Sequence, residues 1–293
     1  MTSVIGTVLW QTDPMSDTTA TATETRVAIT VDDHVAEVRL TRPDKHNALD
    51  AAMFEGIVAA VEQVAATPGV RAVVLYGDGP SFCSGLDIAS FMTGPVSTGD
   101  LLARDGGHVA NLAQRVAYDW TQLPVPVIAA IHGACFGGGL QIALGADIRI
   151  AAPDARLSVM EIRWGLVPDM AITQTLPRLV AMDVAKELVF TGRRLSGEEA
   201  KEVGLVTHVA ADPLTAAREL AADIATRSPD AIRAGKRLLQ EAWLAAPAEA
   251  LLLESELQTA LIGSPNQLAA VTAGVTKEPA EFVDPGAIAG SGA

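Results

Sequence analysis

Apolar positions in the first half of the chain fall into short, strand-like runs that alternate with helical patterns. The runs occupy residues 26–31, 34–40, 70–76, 127–131 and 147–151. Between them, apolar residues recur at helical spacing after Asp50, a longer helix is predicted over 101–123, and a short one over 140–146. The nearly continuous apolar run at 70–76 is typical of a strand covered on both faces. This alternation predicts an α/β fold with much parallel strand pairing.

The second half of the chain has mainly helical patterns. Ser196 and Glu199 form a capping box that opens a short helix. Asp212 and Ser228 each precede a proline at the first helical position, and the second of these helices is predicted over 228–245. The sequence therefore predicts a helical region after the α/β part.

The ends of the chain complete the predicted organisation. Residues 1–25 have the composition of a disordered tail, because a run of threonine and alanine offers no periodic apolar face. Met15 is an alternative to Met1 as the native first residue, in which case residues 1–14 would be an upstream extension. We expect a core over 26–205 and a C-terminal helical region over 206–293.

Two glycine-bearing stretches follow predicted strands and suggest where chemistry takes place. They are SFCSGLD from Ser81 and IHGACFGGGLQ from Ile131. Glycine lets the bare backbone approach a ligand, because no Cβ blocks the way. The second stretch also opens a helix, so its N–H groups would lie at the positive end of a helix dipole. Two backbone N–H groups that face one point can bind a developing oxyanion, which predicts acyl transfer or enolate chemistry.

Together with two further motifs, these stretches resemble the crotonase superfamily of enoyl-CoA hydratases and isomerases. Over roughly 27–284 the matching pieces keep the family's order and spacing: RPDKHNAL from Arg42, FCSGLD from Phe82, GGG from Gly137 and EIRWGLVP from Glu161. The resemblance implies a ββα spiral core and a C-terminal helical oligomerisation region, hence a homotrimer or a dimer of trimers. It also implies an acyl-CoA thioester as substrate and no permanently bound cofactor.

The same resemblance assigns binding roles to particular residues. It places the backbone N–H groups of Leu86 and Gly138 in an oxyanion hole for the thioester carbonyl. It also implies contacts to coenzyme A, from cations at the phosphates and from residues beside the adenine and pantetheine. The cations are Arg42, Lys45 and Lys277, and the residues beside the adenine and pantetheine are Leu86, Asp87 and Ile88.

Glu161 is the predicted proton carrier. Its neighbours are largely apolar, and desolvation would raise the pKa of its carboxyl toward neutrality. In the family, position 141 faces the substrate as well, and hydratases typically carry a carboxylate at both positions. Here it is Gln141, whose amide can hold a water or a carbonyl but cannot take a proton. The alternative interpretation is that Gln141 is an ordinary helix residue with no catalytic part.

Asp169 adds a second acid to this motif. It directly follows Pro168, where the dienoyl-CoA isomerase branch of the family carries an aspartate that works with the glutamate. The alternative is a cap for a helix that starts near Ala171. The leading hypothesis is a double-bond shift in an enoyl- or dienoyl-CoA by Glu161, helped by Asp169. An enoyl-CoA hydratase and a protein that binds acyl-CoA without turnover are the alternatives.

Composition narrows the remaining possibilities. Apolar residues make up 49 % of the chain, so a disordered protein is not expected, and no apolar stretch is long enough to span a bilayer. The net charge of −14 argues against nucleic acid or an anionic membrane as partner. The two cysteines, Cys83 and Cys135, fit small buried residues and a reducing cytoplasm. The five histidines show no metal-ligand spacing, so no metal site is predicted.

Overall fold

A six-stranded, mostly parallel sheet forms the centre of the computed structural model, which describes residues 25–93, 98–104 and 106–284. The strands are β1 Val27–Asp32, β2 Val35–Leu40, β3 Ala72–Gly77, β4 Val127–Ile131, β5 Ala134–Phe136, β6 Ile148–Ala151, β7 Arg156–Ser158 and β8 His208–Val209. The main sheet has the order β1-β2-β3-β4-β6-β8, and β5 pairs with β7 in a small second sheet. Only β1 and β2 pair antiparallel among these strands, which confirms the predicted α/β fold.

Helices cover the sheet and continue beyond it. They are α1 Ala51–Ala66, α2 Ile88–Thr93, α3 Thr98–Leu102, α4 Leu112–Gln122, α5 Gly138–Leu144, α6 Ile172–Thr175, α7 Met182–Thr191, α8 Gly197–Glu202, α9 Pro213–Ala225, α10 Pro229–Ala242, α11 Pro247–Leu261 and α12 Pro265–Thr276. Short 3-10 helices occupy Pro43–Lys45, Glu161–Trp164 and Leu176–Arg178. No helix of the described residues is both long and apolar enough to cross a membrane.

Helix α1 shows how the pattern directs the packing. Asp50 caps it by accepting a hydrogen bond from Met53 N at 2.9 Å, as predicted. Its apolar stripe, which includes Met53 and Ile57, is fully buried in the main core cluster. That cluster lies between one face of the sheet and helices α1, α4 and α5, and it supports the turns that follow β3 and β4.

The prediction of a single helix over 101–123 is wrong. The chain forms α3 and α4 instead, and Gly106 between them has a left-handed φ of 76°. Asn111 starts α4 with a full capping box: Gln114 N donates to Asn111 Oδ1 at 2.9 Å, and Asn111 N donates to Gln114 Oε1 at 3.1 Å. Because glycine weakens a helix and a capping box opens a new one, two helices are favoured over one.

The opposite face of the sheet is covered by α9. Its Ala217 and Ala221 are fully buried against Val74 and Ile128 of the central strands. Both β8 and α9 lie past residue 205, so the predicted boundary leaves them in the C-terminal region although they pack on the sheet. The tail predicted over 1–25 lies, up to residue 24, outside the described residues.

Candidate active site

A cavity of about 430 Å³ lies where the turns after β3 and β4 meet the 3-10 helix Glu161–Trp164. Its walls are mostly apolar, with two carboxyl groups among them, those of Glu161 and Asp169. The apolar lining comes from Phe54, Leu86, Ile88, Leu101, Leu102, Ala113, Phe136, Met160, Trp164, Leu166, Val167 and Met170. Such a cavity suits an apolar chain that must meet a few placed polar groups.

Asn47 holds the first glycine turn in place. This side chain is fully buried, and its Nδ2 lies 3.0 Å from Asp78 O, 2.8 Å from Ser81 O and 3.2 Å from Phe82 O. Its Oδ1 accepts a hydrogen bond from Arg42 N at 2.8 Å. A buried amide with these partners is fully satisfied, so the turn that leads to Leu86 is rigidly supported.

The backbone on either side of the Leu86 N–H is paired with Leu49. Leu49 N donates to Gly85 O at 2.8 Å, and Asp87 N donates to Leu49 O at 2.9 Å, so the N–H of Leu86 lies between two paired groups. Gly85 has a φ of 90°, and a Cβ there would lie 2.7 Å from Phe136 O and 3.7 Å from Gly138 N. The two glycine turns are therefore adjacent, and only glycine fits at position 85.

The second turn presents Gly138. Gly137 N donates to Ser158 O at 2.9 Å, and α5 begins at the next residue. The N–H groups in the first turn of a helix have no acceptor within the helix. In the part of the chain that the structure describes, neither Leu86 N–H nor Gly138 N–H donates a hydrogen bond, and both residues line the cavity.

Glu161 presents a carboxylate with one bonded oxygen and one unpaired oxygen. Oε1 accepts a hydrogen bond from Gln141 Nε2 at 2.6 Å, whereas Oε2 is buried and has no partner among the described residues. Burial raises the pKa of the Glu161 carboxyl, and the charge of Asp169 raises it further. Hydrogen bonds from Gln141 and from the backbone act in the opposite direction and lower this pKa.

Gln141 is almost fully buried, with 1 % of its surface exposed. Its Oε1 accepts a hydrogen bond from Met170 N at 2.9 Å. Gln141 therefore bridges the Glu161 carboxylate and the backbone of the loop that follows Asp169.

Asp169 lies at the solvent-exposed edge of the same cavity. Partial desolvation by the surrounding walls raises the pKa of its carboxyl. The alternative role as a helix cap is wrong, because α6 is preceded by Ala171 in a left-handed conformation and has no side-chain cap.

Two of the predicted coenzyme A contacts are paired with each other. Arg42 Nη1 donates to Asp87 Oδ2 at 2.8 Å and to Ala48 O at 3.0 Å, and it lies 3.5 Å from Asp50 Oδ2. The Arg42 side chain is only 10 % exposed, and its charge is paired with that of Asp87. Leu86 and Ile88 line the cavity, whereas Asp87 does not.

The other two predicted cations lie in different places. Lys45 is the exposed last residue of the 3-10 helix Pro43–Lys45. Its carbonyl oxygen accepts a hydrogen bond from Ser84 Oγ at 3.4 Å, and Ser84 lines the cavity. Lys277 ends α12, and the segment after it contacts Arg71 at the amino end of β3. The cavity lies beyond the other end of that strand. Within one chain, the structure therefore does not bring Lys277 to the site.

Some features of the site have no clear signal in the sequence. The backbone N–H of Met170 and the wall formed by Phe54 and Leu101 come from loops and helices far apart in the chain. Cys83 and Cys135 are free and buried, and burial raises the pKa of the Cys83 thiol to about 12, as expected of inert core residues. No group of three or more possible metal ligands occurs among the described residues.

Comparison with known proteins identifies the family of this chain. The family model for enoyl-CoA hydratase/isomerase matches residues 30–284. The chain belongs to this family. The likeness to solved structures extends to the fold: the crystal structure of an enoyl-CoA hydratase from Bacillus anthracis has a TM-score of 0.78 at 30 % identity, covering 88 % of this chain and 98 % of that one. The resemblance to the crotonase superfamily is therefore confirmed.

Relatives in the family carry names for different reactions. The mitochondrial delta(3,5)-delta(2,4)-dienoyl-CoA isomerase of Rattus norvegicus is 37 % identical over 211 residues, which span 69 % of this chain and 64 % of that protein. The mitochondrial enoyl-CoA hydratase domain-containing protein 2 of Mus musculus is 33 % identical over 258 residues, spanning 85 % of this chain and 84 % of that protein. The family is thus one of enzymes that act on coenzyme A thioesters.

Proposed function

We propose that this protein shifts a double bond of an enoyl- or dienoyl-CoA, with Glu161 as the proton carrier and Asp169 as its helper. The observation that carries the proposal is the amide beside Glu161. Gln141 stands 2.6 Å from its carboxylate, at the position where family hydratases typically hold a second carboxylate. Adding water requires a group that positions and deprotonates the water, whereas moving a double bond requires one proton to travel between two carbons of one chain. A single base suffices for the second reaction.

The thioester carbonyl is stabilised by the N–H groups of Leu86 and Gly138. When Glu161 removes a proton from the acyl chain, the C–H electron pair enters the conjugated system and the negative charge moves onto the thioester oxygen. Return of the proton to a different carbon completes the shift, and neither the thioester nor the oxidation state changes. The unpaired N–H groups and their position on the cavity wall support this role as an oxyanion hole.

Two features of the acids support proton transfer. The raised pKa of the Glu161 carboxyl, caused mainly by burial, makes it a stronger base than an exposed glutamate. Asp169 supplies a second carboxyl in the same cavity, so two carbons of a dienoyl chain each have an acid within the site. The 37 % identity to a dienoyl-CoA isomerase supports the same reaction class.

The negative charge of the substrate comes from the phosphates of its coenzyme A part. The proposed reaction needs no permanently bound cofactor. Lys45 is exposed beside the cavity-lining Ser84 and is the cation that we assign to the phosphates, with Leu86 and Ile88 beside the pantetheine. Lys277 could reach a site only in another copy of the chain.

The oligomer that we infer is a homotrimer or a dimer of trimers. The C-terminal helices carry large apolar side chains that are at least half exposed within one chain: Leu239, Trp243, Leu251, Leu252, Leu268, Val271 and Val275. Burial in a subunit interface would remove this apolar surface from water. Sedimentation velocity should give a trimer or hexamer, and a monomer at micromolar concentration would contradict this inference.

The proposed reaction is tested by supplying a trans-3-enoyl-CoA, a 3,5-dienoyl-CoA and a trans-2-enoyl-CoA in parallel. We expect the first two to yield the conjugated thioester, which is followed by its ultraviolet absorbance. Hydration of the trans-2-enoyl-CoA at rates far above any isomerisation would overturn the proposal in favour of a hydratase. Tight acyl-CoA binding with no turnover of any of the three would favour the binding-only alternative.

A further inference from the structure

Gln141 connects the two acids of the site through one side chain. Its Nε2 donates to Glu161 Oε1 at 2.6 Å, and its Oε1 accepts from Met170 N at 2.9 Å. Met170 directly follows Asp169, so the second hydrogen bond holds the peptide that carries the helper acid. With 1 % of its surface exposed, Gln141 makes both contacts away from bulk water.

We propose that Gln141 is a positioning residue that fixes Glu161 and the Asp169–Met170 peptide relative to each other and holds the Glu161 carboxyl in its ionised, proton-accepting form. This inference rests on the proposed role of Glu161 as proton carrier. It goes further because it gives the amide a function of its own, rather than treating it as a lost carboxylate.

The direction of the amide follows from its partners. Met170 N is a donor, so the group that faces it must be the carbonyl oxygen of Gln141. The NH₂ group then points to Glu161 Oε1, where only an acceptor can stand, and this favours the ionised carboxylate. Glutamine satisfies both ends at once.

Other side chains at position 141 could not make both contacts. An ionised glutamate would accept from Met170 N but could approach Glu161 only by sharing a proton with it. Methionine would fill the space and would leave both partners without a hydrogen bond. Asparagine is one methylene shorter and could not span the same two atoms without movement. The identity of the residue at 141 therefore controls the ionisation of Glu161.

The two carboxylate oxygens of Glu161 differ in their surroundings. Oε1 accepts the hydrogen bond from Gln141, and a Cβ placed on the cavity-lining Gly137 would lie 3.2 Å from it. Oε2 is buried without a protein partner in the described part of the chain. The hydrogen bond from Gln141 therefore fixes the orientation of this carboxylate.

The charged groups near Glu161 set the direction of the expected change. Asp169 faces it from the following loop, and its charge raises the pKa of Glu161. Arg163 on the same 3-10 helix is exposed, and Arg194 is exposed with its guanidinium 5.1 Å from the centre of the Phe136 ring. The hydrogen bond from Gln141 stabilises the carboxylate and lowers its pKa, so its removal must raise that pKa.

The test measures the ionisation of Glu161 directly, in the complete protein without substrate. The carboxyl signal is followed by ¹³C NMR as a function of pH and assigned by its loss in Glu161→Gln. In Gln141→Met we expect the pKa of Glu161 to rise by about 1 unit, the size typical of losing one hydrogen bond to a carboxylate. Gln174→Met is the matched control, because Gln174 is exposed and its Nε2 donates to the neighbouring Thr173 Oγ1. In this variant the pKa of Glu161 should not change.

Gln141→Glu is a second variant of nearly identical shape. It tests the effect of residue 141 on the pKa of Glu161 even if Gln141→Met does not fold. Here residues 141 and 161 should titrate as a coupled pair, with the upper step above the wild-type value. A wild-type pKa of Glu161 in either folded variant would overturn the inference. Because the measurement needs no turnover, a failure of the proposed isomerase reaction would appear only in the substrate assays and not here.

A kinetic readout then tests the consequence for proton transfer. In the exchange of the α-proton of a saturated acyl-CoA in D₂O, the acid limb of the pH–rate profile should lie at higher pH in Gln141→Met than in the wild type. A lower rate at every pH with no shift of the acid limb would overturn the control of ionisation by Gln141.

Discussion

The cavity has a buried inner end, around Gln141 and Gly138, and an exposed outer end, around Trp164 and Val167. At the inner end, Gln141 and Gly138 are buried, and hydrogen bonds made by the Gln141 side chain hold Glu161 and the loop that carries Asp169. At the outer end, Trp164 is 62 % exposed and Val167 is 74 % exposed, although both line the cavity. We infer from this difference that the reaction depends on the buried polar cluster, whereas the acyl chain meets a wall of exposed apolar side chains. Substitutions should therefore affect the rate at one end and the choice of substrate at the other.

The largest effect is expected from Gly138→Pro. Proline is tolerated at the first position of a helix but has no N–H, so the variant loses one oxyanion donor, and turnover should fall by about a thousandfold or more. Gly138→Ala is the control, because its Cβ would overlap the same flexible side chains, at 2.7 Å from Met170 Sδ and 2.8 Å from Leu49 Cδ1, yet the N–H remains. Near-normal turnover in Gly138→Pro would show that the donor lies elsewhere.

Glu161→Gln should be the next most damaging change. It preserves shape and can still accept from Gln141, but it removes the positioned base, so kcat should fall at least about a hundredfold while acyl-CoA binding persists. Glu202→Gln, on the exposed side of α8, is a suitable control. Near-normal turnover in Glu161→Gln would assign proton transfer to another residue.

Asp169→Asn should have an intermediate effect with a characteristic pH dependence. Double-bond migration should slow by about tenfold, as expected for a helper rather than the main base. Because the charge of Asp169 raises the pKa of Glu161, its removal should shift the acid limb of kcat/KM to lower pH. A rate and a pH profile like those of the wild type would restrict Asp169 to a surface role.

The smallest effect is expected at the outer end. Trp164→Ala removes an apolar contact surface worth about 1 kcal/mol, so KM for a long-chain acyl-CoA should rise about fivefold with little change in kcat. A short-chain acyl-CoA is the internal control, since it does not reach this wall. A large loss of kcat for both substrates would mean that Trp164 supports the inner end instead, and that the two ends are not separable.

Much of the fold could be predicted because it depends on local patterns. Buried parallel strands require apolar runs such as 70–76, and Asp50 caps α1 through a contact only three residues away. The error at 101–123 has the same origin, because apolar periodicity alone does not register a new capping box at Asn111. Local signals decided these elements, including the one that periodicity missed.

The site was predictable only in part, because its contacts join distant positions. The resemblance pointed to Glu161, Gln141 and Asp169, and all three lie at or beside the cavity. It also pointed to Arg42, but the charge of this residue is paired with Asp87, 45 positions away. A motif shows which residue types are present; it does not show which of them neutralise each other.

The sequence by itself determined the alternation of strands and helices, the two glycine turns and the chemical types available to the site. Only the tertiary structure decided how they are used. Gln141 meets Glu161 across 20 residues and Met170 across 29, because α5, a 3-10 helix and a loop converge on one buried volume. Hydrogen bonds and desolvation act over a few ångströms, so the state of a carboxylate depends on what packing brings beside it and not on its neighbours in the chain.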